Sequence, residues 1–342
     1  MSHPVFSVVS GAQVLDVLAG REKATMDIVE AAYRMHGAGL TVNPPSYFLR
    51  FPDRPDARII ALPASVGGEA PVHGLKWISS FPANTGVGLP RASAVLVLND
   101  PMTGYPFACL ESSVISASRT AASAALAADW LTRGRRRPRR VGFIGTGLIA
   151  RYVHTYLAAT DWDFDEIGLH DVTAEHARQF GDHLRRAGSG AEITTYSGAE
   201  HLIRASDLVV FATVTGEPHV HDPSWFEHNP VVLHVSLRDL APEIILSAVN
   251  IVDDVEHCLK AGTSPHLAEQ LTGNRNFVHG TLDDVMAGRL LLPADRPVIF
   301  SPFGLGVLDL AVGRHVYHEL ERAGELVAVP GFFTDLDHYG RR

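Results

Sequence analysis

Val141-Gly-Phe-Ile-Gly-Thr-Gly-Leu-Ile-Ala150 decides the fold. An apolar run with the look of a strand gives way to Gly145-x-Gly147-x-x-Ala150, and LIARYVHTYLAAT continues at helical spacing. Gly145 permits a tight turn, Gly147 lets a pyrophosphate approach the backbone, and Ala150 lets helix and strand pack closely. The helix start then offers unpaired N–H groups and the positive end of its dipole to phosphates. Thr146, Leu148 and Ile149 complete the loop as cofactor-contacting positions. Such a site also needs an acid about 20 residues on, and Asp171 stands there, after EIGLH. Val172, Thr173 and Ala174 follow with no arginine to receive a 2′-phosphate, so the pattern predicts NAD rather than NADP. The bland alternative, a glycine turn in an unrelated α/β protein with Asp171 as a helix cap, explains fewer of these coincidences.

Outward from this stretch the pattern is regular. RRVGFIG, EIGLHDV, AEITTYS, DLVVFATV and VVLHVSL read as strands with helical or loop segments between them, which implies a parallel, doubly wound sheet of Rossmann type. Before it, SYFLRF, RIIALP, GLKWISS, ASAVLVLND and GYPFACLE read as strands, and SSVISASRTAASAALAADWL as one long helix. The expected organisation is an α+β substrate-binding and dimerisation domain over 1–126, an NAD-binding Rossmann domain over 127–301, and a return of 302–342 to the first domain. The run Arg133–Arg140 is expected to be a solvated connector.

Composition narrows the function classes. A chain of 342 residues exceeds one ordinary core, and 46% hydrophobic with 20% charged residues is globular. A net charge of −9 argues against a general nucleic-acid binder. No stretch approaches the ~18–20 apolar residues of a membrane helix, and no targeting segment is visible at the start. Two cysteines, Cys109 and Cys258, supply neither a disulfide framework nor a four-thiolate zinc site, so a reduced, cytoplasmic setting is expected. The 18 histidines include no HExxH or comparable cluster, and no metal is expected.

GLKWISSFPAN (74–84), ASAVLVLND (92–100), ESSVISASRTAASAAL (111–126), GFIGTGLIA (142–150), HVSLRDLAPE (234–243) and SPFGLGVLDL (301–310) together resemble the ornithine cyclodeaminase/μ-crystallin family over nearly the whole chain. PSYFLR, RIIALPASVGGE, RASAVLVLNDPMTGYP and VDDVEHC bring the resemblance nearest to the branch that makes 2,3-diaminopropionate. That resemblance implies an NAD-dependent enzyme, a homodimer, which oxidises N-(2-amino-2-carboxyethyl)-L-glutamate and hydrolyses the product to 2-oxoglutarate and L-2,3-diaminopropionate. Ornithine cyclodeaminase, or a related amino- or imino-acid dehydrogenase, is the alternative within the family. A μ-crystallin-like binding protein is the alternative outside catalysis. Ile60 stands where ornithine-type members carry Glu, and Leu-Ala-Pro-Glu (240–243) stands where they tend to have PGK, both of which weigh against ornithine.

A substrate with three carboxylates needs cations, and the first domain offers Arg50, Lys76, Arg91 and Arg119. Lys76 lies in an apolar strand and Arg119 in an Ala-rich helix, where an idle charge is costly. Arg50 is evenly balanced between surface and site, and Arg91 reads as a surface cation apart from the resemblance. Asp239 follows the fifth strand of the nucleotide domain; its family position makes it the proton acceptor, with Lys76 as catalytic partner, and a helix N-cap is the competing reading. Thr213, Thr215, Ser236, Phe303 and Gly304 follow strands of the same domain and are expected to contact the cofactor.

Overall fold

The computed structural model describes residues 5–334. The chain forms two compact units. The first comprises the chain up to Arg21, Arg34–Arg119, and the chain from Gly306; the second comprises Glu22–Tyr33 and Thr120–Leu305.

The first unit opens with β1 (Ser7–Val9), α1 (Gly11–Leu18) and α2 (Glu22–Gly37), the first part of α2 belonging to the second unit. It continues with β2 (Thr41–Val42), β3 (Tyr47–Phe51), β4 (Arg54–Val66), β5 (Val72–Ser80), β6 (Ala92–Asn99), β7 (Pro106–Glu111) and the start of α3 (Ser113–Leu131). One sheet holds these strands in the order β1-β7-β6-β5-β4-β2, with β3 paired to β4. The pairs from β4 to β7 are antiparallel, so alternate residues share a face. Leu62, Ala64, Lys76, Leu96 and Leu98 are buried on one face. Strand β1 went unread in the sequence because three residues carry no periodic signal; it pairs parallel to β7.

The second unit contains β8 (Arg140–Ile144), α4 (Leu148–Ala159), β9 (Glu166–His170), α5 (Ala174–Arg186), β10 (Glu192–Thr195), α6 (Ala199–Ala205), β11 (Leu208–Phe211), β12 (Val231–His234), α7 (Pro242–Ser247), β13 (Val249–Val252), α8 (Val255–Cys258), α9 (Ser264–Thr272), β14 (Val278–Thr281), α10 (Leu282–Met286) and β15 (Val298–Ser301). Its strands form one parallel sheet in the order β10-β9-β8-β11-β12-β15-β13-β14. The predicted doubly wound sheet is therefore present. The strand order reverses between β8 and β11, and ligands of such sheets bind at the carboxyl ends beside that reversal. Back in the first unit, α11 (Gly306–Ala323) packs on β4, β5 and β6, and β16 (Val327–Ala328) pairs with β1. Gly313 leaves room for Leu96, since a Cβ there would lie 2.1 Å from its Cδ2.

The arginine run joins α3 to β8 and is exposed at Arg133, Arg136, Arg137 and Arg140, as a solvated connector would be, but several of its side chains are tied down. Arg135 donates to the carbonyls of Asn229, Pro293 and Arg296, Arg137 lies over the Trp162 ring, and Arg139 and Arg140 pair with Asp165 and Asp207. These bonds fix the entry to β8.

Candidate active site

Chemistry-bearing side chains gather in two places, one in each unit. In the first unit, β5 carries Lys76, α3 carries Arg119 and α11 carries Asp309. Lys76 Nζ donates to Asp309 Oδ2 at 2.6 Å, and Arg119 Nε donates to Oδ1 at 3.0 Å. Asp309 is fully buried and Lys76 is 2% exposed. Two cations on one carboxylate leave a net positive centre. The Nη atoms of Arg119 have no partner among the described residues, so its fork is free for a ligand carboxylate. Burial, reinforced by Arg119, brings the Lys76 ammonium down to about 8 against the pull of Asp309. Sequence reasoning quoted the segment GVLDL without singling out Asp309, although a lone acid in an apolar helix was the available signal.

Arg50 and Arg91 lie elsewhere in this unit. Arg50 sits on β3 directly opposite Arg58 of β4, and Arg91, just before β6, donates to Ser80 Oγ at 2.8 Å. Arg91 is half-buried rather than an idle surface cation. Arg58 opens the run RIIALP and was not singled out in the sequence, where attention went to the apolar residues that follow it.

In the second unit, the glycine loop follows β8. Gly145 adopts φ 83°, and a Cβ there would meet Ala212 O at 2.6 Å, at the end of β11. A Cβ on Gly147 would meet nothing within 4 Å, which leaves open space above the loop for a ligand. Gly147 caps α4 without a side-chain bond, so the first N–H groups of the helix stay available, and Ala150 is fully buried. These features fit a dinucleotide pyrophosphate. Asp171 follows β9; Oδ2 accepts from Thr146 N and Oγ1 at 2.9 and 3.0 Å, and Oδ1 accepts from Thr173 N at 2.9 Å. Burial would raise its carboxyl, but these donors outweigh it and hold it below the usual range. Leu148 is exposed beside the loop, and no arginine contacts Asp171 among the described residues; the basic side chain near it is His176, at 3.6 Å.

Asp239 is completely buried, and Thr213 and Ser236 both donate their hydroxyls to it. His219 Nε2 lies 3.0 Å from Oδ1 and His234 Nε2 3.2 Å from Oδ2. Burial pushes the carboxyl up, but the bonds from His219, His234 and Ser236 outweigh it and hold it far below the carboxylate range. The cap reading fails: α7 is capped by Ala241 and has Pro at its start, while Asp239 turns inward. Leu237, at φ 72°, makes the turn that aims Ser236 and Asp239 together, a conformation that costs a non-glycine residue about 1–3 kcal/mol. His219 is 40% exposed, so it links this sealed carboxylate to the outside. The sequence reading weighed the histidines only as metal ligands and singled out neither His219 nor His234 for this role.

The remaining positions fall at strand ends of the same sheet. Thr215 donates to Glu217 O within a turn. Phe303 and Gly304 follow β15, and their N–H groups donate to the buried carboxylate of Asp253 at 2.9 and 2.6 Å. Gly304 takes φ 94°. Cys258 is fully buried, where desolvation pushes its thiol well up, a poor nucleophile.

The description of the ornithine cyclodeaminase/mu-crystallin family matches residues 12–324. Alanine dehydrogenase of Archaeoglobus fulgidus is 31% identical over 85% of this chain and 88% of its own. N-((2S)-2-amino-2-carboxyethyl)-L-glutamate dehydrogenase of Staphylococcus aureus is 27% identical over 78% of this chain and 80% of its own. Among solved structures, an archaeal alanine dehydrogenase dimer with bound NAD superposes with a TM-score of 0.85 at 27% identity, covering 96% of this chain and 100% of that one. With this match and the fingerprint geometry, the chain belongs to the ornithine cyclodeaminase/mu-crystallin family, as an NAD-dependent oxidoreductase of amino-acid chemistry.

Proposed function

We propose that this protein oxidises N-(2-amino-2-carboxyethyl)-L-glutamate with NAD and hydrolyses the product to 2-oxoglutarate and L-2,3-diaminopropionate. The observation that carries the reading is the surplus of positive charge in the first unit. Lys76 and Arg119 share one acid, and Arg50, Arg58 and Arg91 form no ion pair among the described residues. A monocarboxylate amino acid would leave most of that charge idle, at a cost in folding. The relative from Staphylococcus aureus supports the same substrate.

NAD, when bound, accepts the hydride from the glutamate α-carbon. Lys76 and Arg119 hold the adjoining carboxylate. His219, whose Nε2 is held and oriented by Asp239, takes the amine proton on Nδ1 as the C–H bond breaks, leaving an imine. The ring returns that proton to the imine nitrogen and, neutral again, takes one from the water that attacks the imine carbon; the carbinolamine then collapses, with that proton passing to the leaving amine, to keto acid and amine. Asp239 is too deeply buried to touch substrate and acts through His219. The glycine loop, Asp171, Thr215, Phe303 and Gly304 hold the cofactor; Thr213 and Ser236 serve it through Asp239. We also take the protein to be a cytoplasmic homodimer.

An amino-acid panel with NAD tests the reading by NADH absorbance and product analysis. The expected result is NADH, 2-oxoglutarate and diaminopropionate in equal amounts, with His219→Gln lowering kcat by roughly 10²–10⁴ and leaving NAD affinity intact. Pyruvate from alanine as the main product would favour a simple dehydrogenase, as the 31% relative suggests. Proline from ornithine without net NADH would overturn the reading in favour of a cyclodeaminase.

A further inference from the structure

We propose that Arg58, flanked by Arg50 and Arg91, forms a second anion station in the first unit that takes the distal carboxylate of a polycarboxylate amino acid. The register of β3, β4 and β5 carries the argument. Arg50 is opposite Arg58, and Arg58 is opposite Ser80; further along the same strands, Ile60 is opposite Ile78 and Leu62 opposite Lys76. Directly paired residues share a face, and so do residues two apart. Lys76, Ile78, Ser80, Ile60, Arg58 and Arg50 therefore lie on one face of the sheet.

That face has a cationic end, an apolar middle and a second cationic end. At one end, Lys76 with Arg119 surrounds Asp309. In the middle, Ile60 and Ile78 remain partly exposed. At the other end, Arg91 is bonded to Ser80, and Ser80 is 7% exposed. The ends are four residues apart along β5, about 13 Å. Long cationic side chains extended towards each other from the two ends would narrow that gap to the span of a five-carbon dicarboxylate backbone, whose methylenes would lie over the isoleucines.

Nothing among the described residues neutralises the second station. Arg54 pairs with Asp53, and no carboxylate lies within ion-pair distance of Arg50, Arg58 or Arg91 among the described residues. Burial lowers Arg58 and Arg91 from the usual guanidinium value, and each is pushed the same way by a neighbouring arginine, Arg50 for the first and Arg58 for the second. Two half-buried arginines, Arg58 and Arg91, with the exposed Arg50 opposite the first, bring like charges together, which is unfavourable unless an anion joins them. Arginine forks suit a carboxylate through paired hydrogen bonds.

The inference rests on the reading that Lys76 and Arg119 hold an amino acid, and the test separates the two. With NAD present, the parent and Arg58→Gln are compared for turnover and for binding of glutarate and butyrate by calorimetry. A charge-assisted contact contributes roughly 1.5–3 kcal/mol, so Arg58→Gln should raise KM for N-(2-amino-2-carboxyethyl)-L-glutamate about ten- to a hundredfold with kcat nearly unchanged. Glutarate should bind the parent more tightly than butyrate, and Arg58→Gln should abolish the difference; Arg58→Lys should recover part of it. If that substrate is not turned over yet the glutarate preference depends on Arg58, the station stands and the proposed reaction falls. If it is turned over with KM unchanged in Arg58→Gln, or if the parent shows no glutarate preference, the station is overturned. Should Arg58→Gln fail to fold, Arg91→Gln puts the same question.

Discussion

Lys76 shows how one residue can have opposite effects on stability and on function. Its ammonium titrates near 8 in the folded protein, because burial and Arg119 outweigh Asp309, against a value of 10.5 in the unfolded chain. Below about 8 it is charged in both states, and the folded state bears the full cost of burying it. Between about 8 and 10.5 the unfolded chain binds the extra proton, so stability rises with pH across that window, by about 3 kcal/mol in all at the most. In the proposed reaction substrate binding runs the other way, since a carboxylate needs the ammonium. We predict that KM rises as pH passes through 8 while the Lys76 contribution to Tm increases, and that Lys76→Met removes both trends; parallel KM and melting series from pH 6.5 to about 10 check it. Lys76 and Arg119 were legible in the sequence because a charge among apolar neighbours must have a reason. Asp309 obeyed the same rule, but attention to cations passed over their counter-ion.

At the scale of elements, the loop between β8 and α4 separates two roles for glycine that sequence alone treats alike. Gly145 is required by the fold: its φ of 83° and the Ala212 carbonyl 2.6 Å from any Cβ leave no room for a side chain. Gly147 is not, since a Cβ there meets nothing. Gly145→Ala should therefore destabilise the protein by roughly 2–5 kcal/mol and lose NAD as a consequence. Gly147→Ala should keep its Tm and lose NAD affinity by itself, because the methyl occupies the pyrophosphate's approach. Melting curves with and without NAD distinguish the two. The strand–turn–helix was readable because strand, glycines and acid recur at fixed spacing. The environment of Asp239 was not: its cap reading assumed that the helix begins right after it, whereas Pro242 starts α7 two residues later and frees Asp239 to turn inward. Its partners come from positions 213, 219, 234 and 236, which only the parallel packing of β11 and β12 brings to one strand end.

At the scale of the whole molecule, the first unit has a second sheet face that is apolar and exposed. Val8, Tyr47, Leu49, Trp77 and Val95 are 43%, 68%, 47%, 40% and 41% exposed, and Trp77 stands directly opposite Val95. Exposed apolar side chains sharing one sheet face suit burial against a partner. If the protein is the homodimer proposed above, Trp77→Glu should make it monomeric in light-scattering chromatography and leave NAD affinity unchanged; a monomeric parent would overturn the assignment. Alternation in GLKWISS was legible, but which face meets α11 was not, because both carry apolar residues. The Lys76–Asp309–Arg119 triad also bears on biosynthesis. Asp309 lies 233 residues after Lys76 and 190 after Arg119. At roughly 5–20 residues per second, a ribosome takes on the order of tens of seconds to reach it. Throughout that interval β5 and α3 carry two cations destined for burial without the acid that meets them, while the strands of the second unit, β8 to β15, are completed in one uninterrupted stretch. The first unit, begun first, is thus the last to close, and a nascent chain stalled short of α11 leaves the face on β4, β5 and β6 uncovered.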